Sequence, residues 1–236
     1  MHIHVDTEVT SVWKDNGQVA VAGQDRNKGE QQEFRAQQIM VATGRRSNAD
    51  LLQVENAGIE TDSRGYIRVK EYLETNVPGI WALGDAIGKQ MFKHVANREA
   101  RFAWHKDSQN EEKVALDYAL SPHAVFTHPQ IASIGLKEAE AKQRGEILVG
   151  RTPYTSVVKG IALRAEDGFA KAVVDAESRE ILGFHIIGPY ALILIQEVSD
   201  VMATDGRAGA VSFGLHIHPA LPELVARTLE TLAPPE

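Results

Sequence analysis

The chain opens on alternating positions. His2-Ile3-His4-Val5 places an apolar residue at every second position, and Val9 to Trp13 forms a second apolar-rich run. Period-two alternation marks a strand with one face buried. Asp15-Asn16-Gly17 predicts a tight turn, because Asn and Gly accept the positive φ that a two-residue hairpin needs. Val19-Ala20-Val21 resumes the strand pattern, Gln24 to Gln32 reads as a polar loop or hairpin tip, and Phe34 to Val41 returns as strand. Residues 1–40 are therefore expected to form a β-meander of three or four strands with no evident core of its own. A strand at the first residues fits a truncated or split parent chain, or a native edge strand.

The pattern then changes. Ile39-Met40-Val41-Ala42 and Ile80-Trp81-Ala82-Leu83 are continuous apolar runs, as in strands buried on both faces, and they lead into Gly44 and Gly84-Asp85. A short helix is expected over 48–57, a strand over 67–69 and a turn at Thr75-Asn76-Val77-Pro78-Gly79. A longer helix is expected over about 94–106, on the spacing of Val95, Ala96, Ala100, Ala103 and Trp104. Strands that end in glycine and feed helices are where open α/β sheets bind ligands. The polar run Asp107 to Lys113, followed by Ser121-Pro122, marks a domain boundary. Beyond it, strands are expected over 124–126, 131–134, 157–158, 170–174 and 181–187, with a hairpin loop at Asp175 to Arg179. Helices are expected over 137–144, from Pro189 to about Thr204, and from Pro219 to Leu232. This second half reads as α+β, an antiparallel sheet with helices.

Composition narrows the class. The 236 residues suffice for one large or two ordinary domains, and 25 Lys and Arg against 32 Asp and Glu give a net charge of −7. That balance argues against a broad nucleic-acid surface, which needs clustered basic charge. No apolar run approaches the ~18 residues of a membrane span, so no membrane partner is expected. The first residues lack a basic stretch followed by an apolar core, so no signal peptide is expected. The chain has no cysteine, which excludes a disulfide, a thiolate nucleophile or a cysteine metal site within it and is compatible with a cytoplasmic location, the one expected here.

The candidate chemistry lies in His216-Ile217-His218-Pro219-Ala220-Leu221-Pro222-Glu223. Pro219 suits the first position of a helix, where its missing N–H was unpaired anyway. Leu221, Leu224, Val225, Thr228, Leu229 and Leu232 fall on one face of that helix, so packing fixes its start. Glu223 lies at the same end as His218. A carboxylate that accepts from one imidazole nitrogen orients the ring and leaves the other nitrogen to exchange a proton. The same residues suit a buried histidine at a helix cap, with Glu223 favourable to the helix dipole. His216 and His218 form a His-x-His pair, but no third or fourth ligand is evident and no metal is expected. Asp85 offers a carboxylate for sugar or polyol hydroxyls, beside a helix start at Phe92-Lys93-His94 with free N–H groups; it equally suits a helix cap. There is no Gly-x-Gly-x-x-Gly and no Walker-type loop. Gly206-Arg207-Ala208-Gly209 reads as a helix terminator and loop.

Four stretches together carry a resemblance. Val41-Ala42-Thr43-Gly44-Arg45-Arg46-Ser47-Asn48, Thr75 to Asp85, Phe126-Thr127-His128-Pro129-Gln130-Ile131-Ala132-Ser133-Ile134-Gly135-Leu136, and His216 to Glu223 resemble, in order and spacing, the flavin-dependent pyridine nucleotide–disulfide oxidoreductases, with dihydrolipoamide dehydrogenase the most similar branch. The resemblance covers essentially the whole chain. It implies a fold class of α/β plus α+β: the end of an NAD-binding domain over 1–36, a Rossmann-like C-terminal segment of an FAD-binding domain over 37–120, and an interface domain over 121–236. It implies that Gly44 closes on FAD, that Asp85 binds its ribityl or phosphate region, and that the backbone at Met91, Phe92, Lys93 and His94 faces the isoalloxazine ring. It makes His218 the acid–base group and Glu223 its orienting partner, serving a dithiol such as dihydrolipoamide at the other subunit of a homodimer. The run Ala191 to Ile195 and the last helix would be dimer contacts. Electrons would pass through a cysteine disulfide and FAD to NAD or NADP. The family's Gly-rich loops and redox-active cysteine pair are absent, so a missing N-terminal portion is implied and the isolated chain is expected to be inactive. Ser47 replaces a usual proline, and Ala220 and Pro222 replace usual threonine and serine. Histidine at 218 favours the dithiol-handling branches over mercuric reductase, which stays an alternative with other disulfide reductases, as does a non-catalytic dimerisation module.

Overall fold

The computed structural model describes residues 2–108 and 116–235. The chain divides into two compact units, residues 1–46 and 47–236. The polar run read as a boundary falls partly on 109–113, outside the described residues.

The first unit is a three-stranded antiparallel sheet: β1 (Thr7–Asp15), β2 (Gln18–Asp25) and β3 (Gln31–Ala36), in that order. Asn16 and Gly17 both take positive φ (48° and 81°), and Asp15 faces Gln18 across the hairpin, as the turn signal required. The first strand begins at Thr7 rather than in His2 to Val5. Among the described apolar residues of this unit, only Ala20, on β2, is buried. The run Ile39 to Ala42 is not a strand, and Met40 is 87% exposed. An apolar run becomes a buried parallel strand only where neighbours on both sides supply N–H and C=O partners. Among the described residues none pairs with 39–42.

The second unit begins with α1 (Ala49–Leu52) and a 3₁₀ turn, Val54–Ala57, where one helix over 48–57 was expected. Gln53, at positive φ, separates them. The strands expected at 67–69 and 80–83 shrink to isolated bridges, Thr61 with Ile67 and Glu74 with Trp81. A 3₁₀ turn, Gly84–Ile87, follows, then α2 (Lys93–Ser108). Helix α2 buries Val95, Glu99 and Ala103, while Ala100 and Trp104 face outward. The buried face is displaced from the apolar spacing because a carboxylate occupies its middle.

Residues 123–230 form the expected antiparallel sheet with helices. Strands β4 (His123–Val125), β5 (Gln130–Gly135), β6 (Ile147–Pro153), β7 (Phe169–Asp175) and β8 (Ile181–Gly188) are ordered β4-β5-β8-β7-β6. Short helices α3 (Glu138–Ala141) and α4 (Val158–Ala162) lie between strands. Residues 157–158 are thus a helix start rather than a strand: β-branched propensity yields where no neighbouring strand can pair. Strand β6 has no counterpart in the sequence reading, because Gly150 and Pro153 interrupt its pattern. Helices α5 (Ala191–Met202), α6 (Ala208–Ser212) and α7 (Glu223–Glu230) complete the unit. Helix α6 begins inside the stretch read as terminator and loop; only Gly206, at φ 71°, terminates. The core joins Ala132, Ile134, Ala172, Phe184 and Ile186 of the sheet to Leu194 and Val198 of α5 and Leu224, Val225 and Leu229 of α7. A Cβ on Gly150 would lie 2.1 Å from the carbonyl oxygen of Thr228, so glycine there lets α7 rest directly on β6.

Candidate active site

Helix α7 is amphipathic, and its buried face (Leu224, Val225, Thr228, Leu229) docks it on β6 and β7. This fixes its first residue, Glu223. The helix starts four residues later than expected. The His218–Pro219 bond is cis, residues 219–222 form a turn, and Pro222 is the N-cap. Pro219 therefore ends the preceding loop instead of opening the helix. The outcome still joins the two residues: His218 Nδ1 lies 2.8 Å from Glu223 Oε1. The second oxygen, Oε2, accepts the Ala220 N–H at 2.9 Å. Both oxygens are thus committed, and the carboxylate cannot rotate away from the ring. The His218 bond first, then the Ala220 N–H, hold the Glu223 carboxyl below the usual carboxylate range. Because the carboxylate accepts at Nδ1, that nitrogen carries the hydrogen. The His218 side chain is 65% exposed, and among the described residues its Nε2 has no hydrogen-bond partner.

His216 does not share a ligand position with His218. Its Nε2 lies 2.8 Å from Glu197 Oε1 on α5, and its Nδ1 lies 3.0 Å from the carbonyl oxygen of Gly214. The flanking Phe213, Leu215 and Ile217 point outward, Leu215 with its full surface in solvent. No group of three or more potential metal ligands occurs among the described residues.

A second cluster surrounds Gly84-Asp85. Gly84 takes φ 66°, and its N–H donates to Glu99 Oε2 at 2.6 Å. The other oxygen of Glu99 accepts the Tyr118 O–H at 2.7 Å. Glu99 is fully buried, so two donors on opposite sides satisfy it. Burial, then this bond, push the Tyr118 phenol up. The turn that presents Asp85 is thereby pinned to α2, and Asp85 itself is exposed. At the start of α2, Met91 and Phe92 are half-buried and Lys93 and His94 exposed. Phe92 stacks on His94 at 5.4 Å and on His123 at 6.1 Å, and His94 Nε2 lies 2.8 Å from the Pro122 carbonyl oxygen. Gly44, at φ 95°, belongs to the first unit. Ser47 accepts the Ala49 N–H at 3.1 Å, a role proline could not fill.

Sequence reasoning did not single out Glu99, Tyr118 or Glu197. A glutamate amid an apolar helix face was the one available signal for Glu99. Glu99→Leu is expected to strand the Gly84 N–H and the Tyr118 hydroxyl and to cost about 3 kcal/mol. Glu99→Gln, which keeps one acceptor oxygen, should recover part of that in denaturant unfolding. An unchanged unfolding midpoint in Glu99→Leu would remove the pinning role.

No helix among the described residues is long and apolar enough to cross a membrane. Comparison with known proteins agrees on one family. The family description "pyridine nucleotide-disulphide oxidoreductase, dimerisation domain" matches residues 121–228, and "pyridine nucleotide-disulphide oxidoreductase" matches residues 1–100. A dihydrolipoyl dehydrogenase of Haloferax volcanii is 34% identical over 225 residues, covering 94% of this chain and 47% of that protein. A mycothione reductase of Mycobacterium tuberculosis is 40% identical over 199 residues, covering 81% of this chain and 43% of that protein. The solved structure of LpdA from Mycobacterium tuberculosis shares the fold, with a TM-score of 0.86 at 20% identity, over 95% of this chain and 48% of that one. The chain thus spans about half the length of the curated relatives it matches. With both descriptions falling in sequence on the two parts of the chain, it belongs to the pyridine nucleotide–disulphide oxidoreductase family.

Proposed function

We propose that this chain supplies the proton-transfer part of a flavin-dependent dithiol–disulfide oxidoreductase of the dihydrolipoamide dehydrogenase kind, acting with a second copy of itself. The observation that carries this reading is the 2.8 Å contact between His218 Nδ1 and Glu223 on an otherwise exposed ring. A dithiol attacks a disulfide as its thiolate, so a thiol proton must leave as the S–S bond is exchanged. With Nδ1–H committed to Glu223, Nε2 is the atom that takes the proton, and the Glu223 charge steadies the resulting imidazolium. The chain has no cysteine, so the redox-active sulfurs belong to polypeptide outside these 236 residues.

On the same reading residues 1–36 close an NAD-binding domain, 37–120 belong to an FAD-binding domain and 121–236 form the interface domain. FAD, when bound, supplies the electron path between the sulfurs and NAD or NADP. Asp85 would hold its ribityl or phosphate region, the backbone from Met91 to His94 would face its ring, and Gly44 would close on it. Two features of the second unit suit such a group: the exposed Asp85 on a turn held by Glu99, and the first-turn N–H groups of α2, which lack intrahelical acceptors.

The 40% identity to a mycothione reductase favours a second reading, in which electrons run toward a small disulfide. One experiment separates the cases. The chain is mixed with a polypeptide that supplies the FAD pyrophosphate loop and the cysteine pair. NAD reduction with dihydrolipoamide is expected from the mixture and none from the chain alone. Turnover only with reduced nucleotide and a disulfide selects the second reading. Colourless dimers without turnover in either direction leave a non-catalytic association module and overturn both.

A further inference from the structure

The loop that carries His218 is held at two points, and the second has no role in the chemistry above. Residues 213–222 run between α6 and α7 without regular structure. At its far end the loop meets Glu223. Midway, His216 turns inward; its side chain is 12% exposed against 65% for His218. Both neighbours of the His216 ring are acceptors: the Gly214 carbonyl at Nδ1 and the Glu197 carboxylate at Nε2. The Glu197 carboxylate can only accept, so Nε2 carries the hydrogen of that bond. Charge-assisted bonds of this kind are roughly twice as strong as neutral ones. Among the described residues this is the loop's one side-chain hydrogen bond to α5. Glu197 stands on a fixed base, because Ala191, Leu194, Ile195 and Val198 bury the other side of α5 in the core. Asp200, the next carboxylate along α5, is engaged by Gln196 at 2.7 Å, so Glu197 is the one that serves His216.

We propose that His216, clamped by Glu197, is a positioning residue for His218. This rests on the reading of His218–Glu223 as the acid–base pair. Glu223 fixes the direction of the His218 ring, and the His216 clamp fixes where the backbone carrying it stands, two residues away. His216 exchanges no proton with a substrate, because its ring is turned inward, with Nε2 on Glu197 and Nδ1 facing the Gly214 carbonyl. A displacement of 1 Å at a reacting group can cost about 100-fold in rate, so the clamp matters even though it touches no reactant.

The test uses two readouts. In this chain, the histidine ring ¹⁵N and ¹H resonances of His218 report its Nδ1–H bond to Glu223. His216→Ala is expected to shift and broaden them, whereas Glu197→Gln, whose amide oxygen still accepts from Nε2–H, keeps them near their wild-type positions. In the reconstituted mixture, His216→Ala is expected to lower kcat about 10- to 100-fold with KM nearly unchanged, and Glu197→Gln to stay within about threefold of wild type. If His216→Ala fails to fold by circular dichroism, Glu197→Ala removes the same clamp from the helix side and carries both readouts. His218 resonances and kcat that are unmoved in the folded variant overturn the proposal. So does an equal loss in Glu197→Gln and His216→Ala. Should the mixture show no turnover while the resonances still shift, the clamp stands and the acid–base reading falls.

Discussion

His218→Ala is expected to lower turnover of the reconstituted oxidoreductase about 10³-fold, with flavin absorbance and oligomer mass unchanged. The size follows from what the ring does on the proposed reading. Removal of Nε2 leaves water to take the thiol proton, without the 2.8 Å tie to Glu223 that holds the acceptor in place. Glu223→Gln should fall between wild type and His218→Ala. Its amide still offers an oxygen to Nδ1, but the charge that steadies the imidazolium is gone. The sign of the pH dependence follows from the direction of the Glu223 shift. Its carboxyl lies below the ordinary value of 4.5, so it stays ionised throughout pH 5–9 and adds no step to the rate profile there. Turnover of His218→Ala within tenfold of wild type would end the acid–base assignment.

Leu224→Ala carries the largest expected loss of stability, about 2–5 kcal/mol. Domains of this kind have only about 5–15 kcal/mol in total. Leu224 is fully buried between α7 and the sheet, beside the close contact of α7 with Gly150. A cavity there cannot collapse easily, because β6 and β7 on one side and α6 on the other are already packed. The same side chain seats the helix whose first residue is Glu223, so the variant should also loosen the His218 contact. Urea unfolding followed by circular dichroism reads the first effect. A change below 1 kcal/mol would mean that α7 is not anchored through this face.

What the sequence conveyed, and what it withheld, divides by distance along the chain. The Asn16-Gly17 hairpin, strands β5, β7 and β8, and the buried face of α7 were legible because each rests on local periodicity or turn chemistry. His218 and Glu223 were legible as a pair because five residues separate them. The runs at 39–42 and 80–83 misled, since apolar composition alone does not supply a neighbouring strand. Strand β6 was hidden by a glycine whose reason lies 78 residues away at Thr228. The start of α7 moved because residues 219–222 form a turn and Pro222 is the N-cap. Glu197 and Glu99 were illegible for one reason. Each is an ordinary helical glutamate until the fold brings a distant donor to it: His216 in one case, Gly84 and Tyr118 in the other.

The loop before α7 turns Leu215 and Ile217 to the outside and His216 between them to the inside. Adjacent residues therefore answer to different constraints. Mutation at 213, 215 or 217 alters the face the loop shows to other molecules and leaves the clamp on α5 untouched. Mutation at 216 does the reverse. A lineage can thus revise its associations at this loop in single steps without passing through an intermediate with a misplaced His218. Variation among relatives should accordingly concentrate on the outward positions.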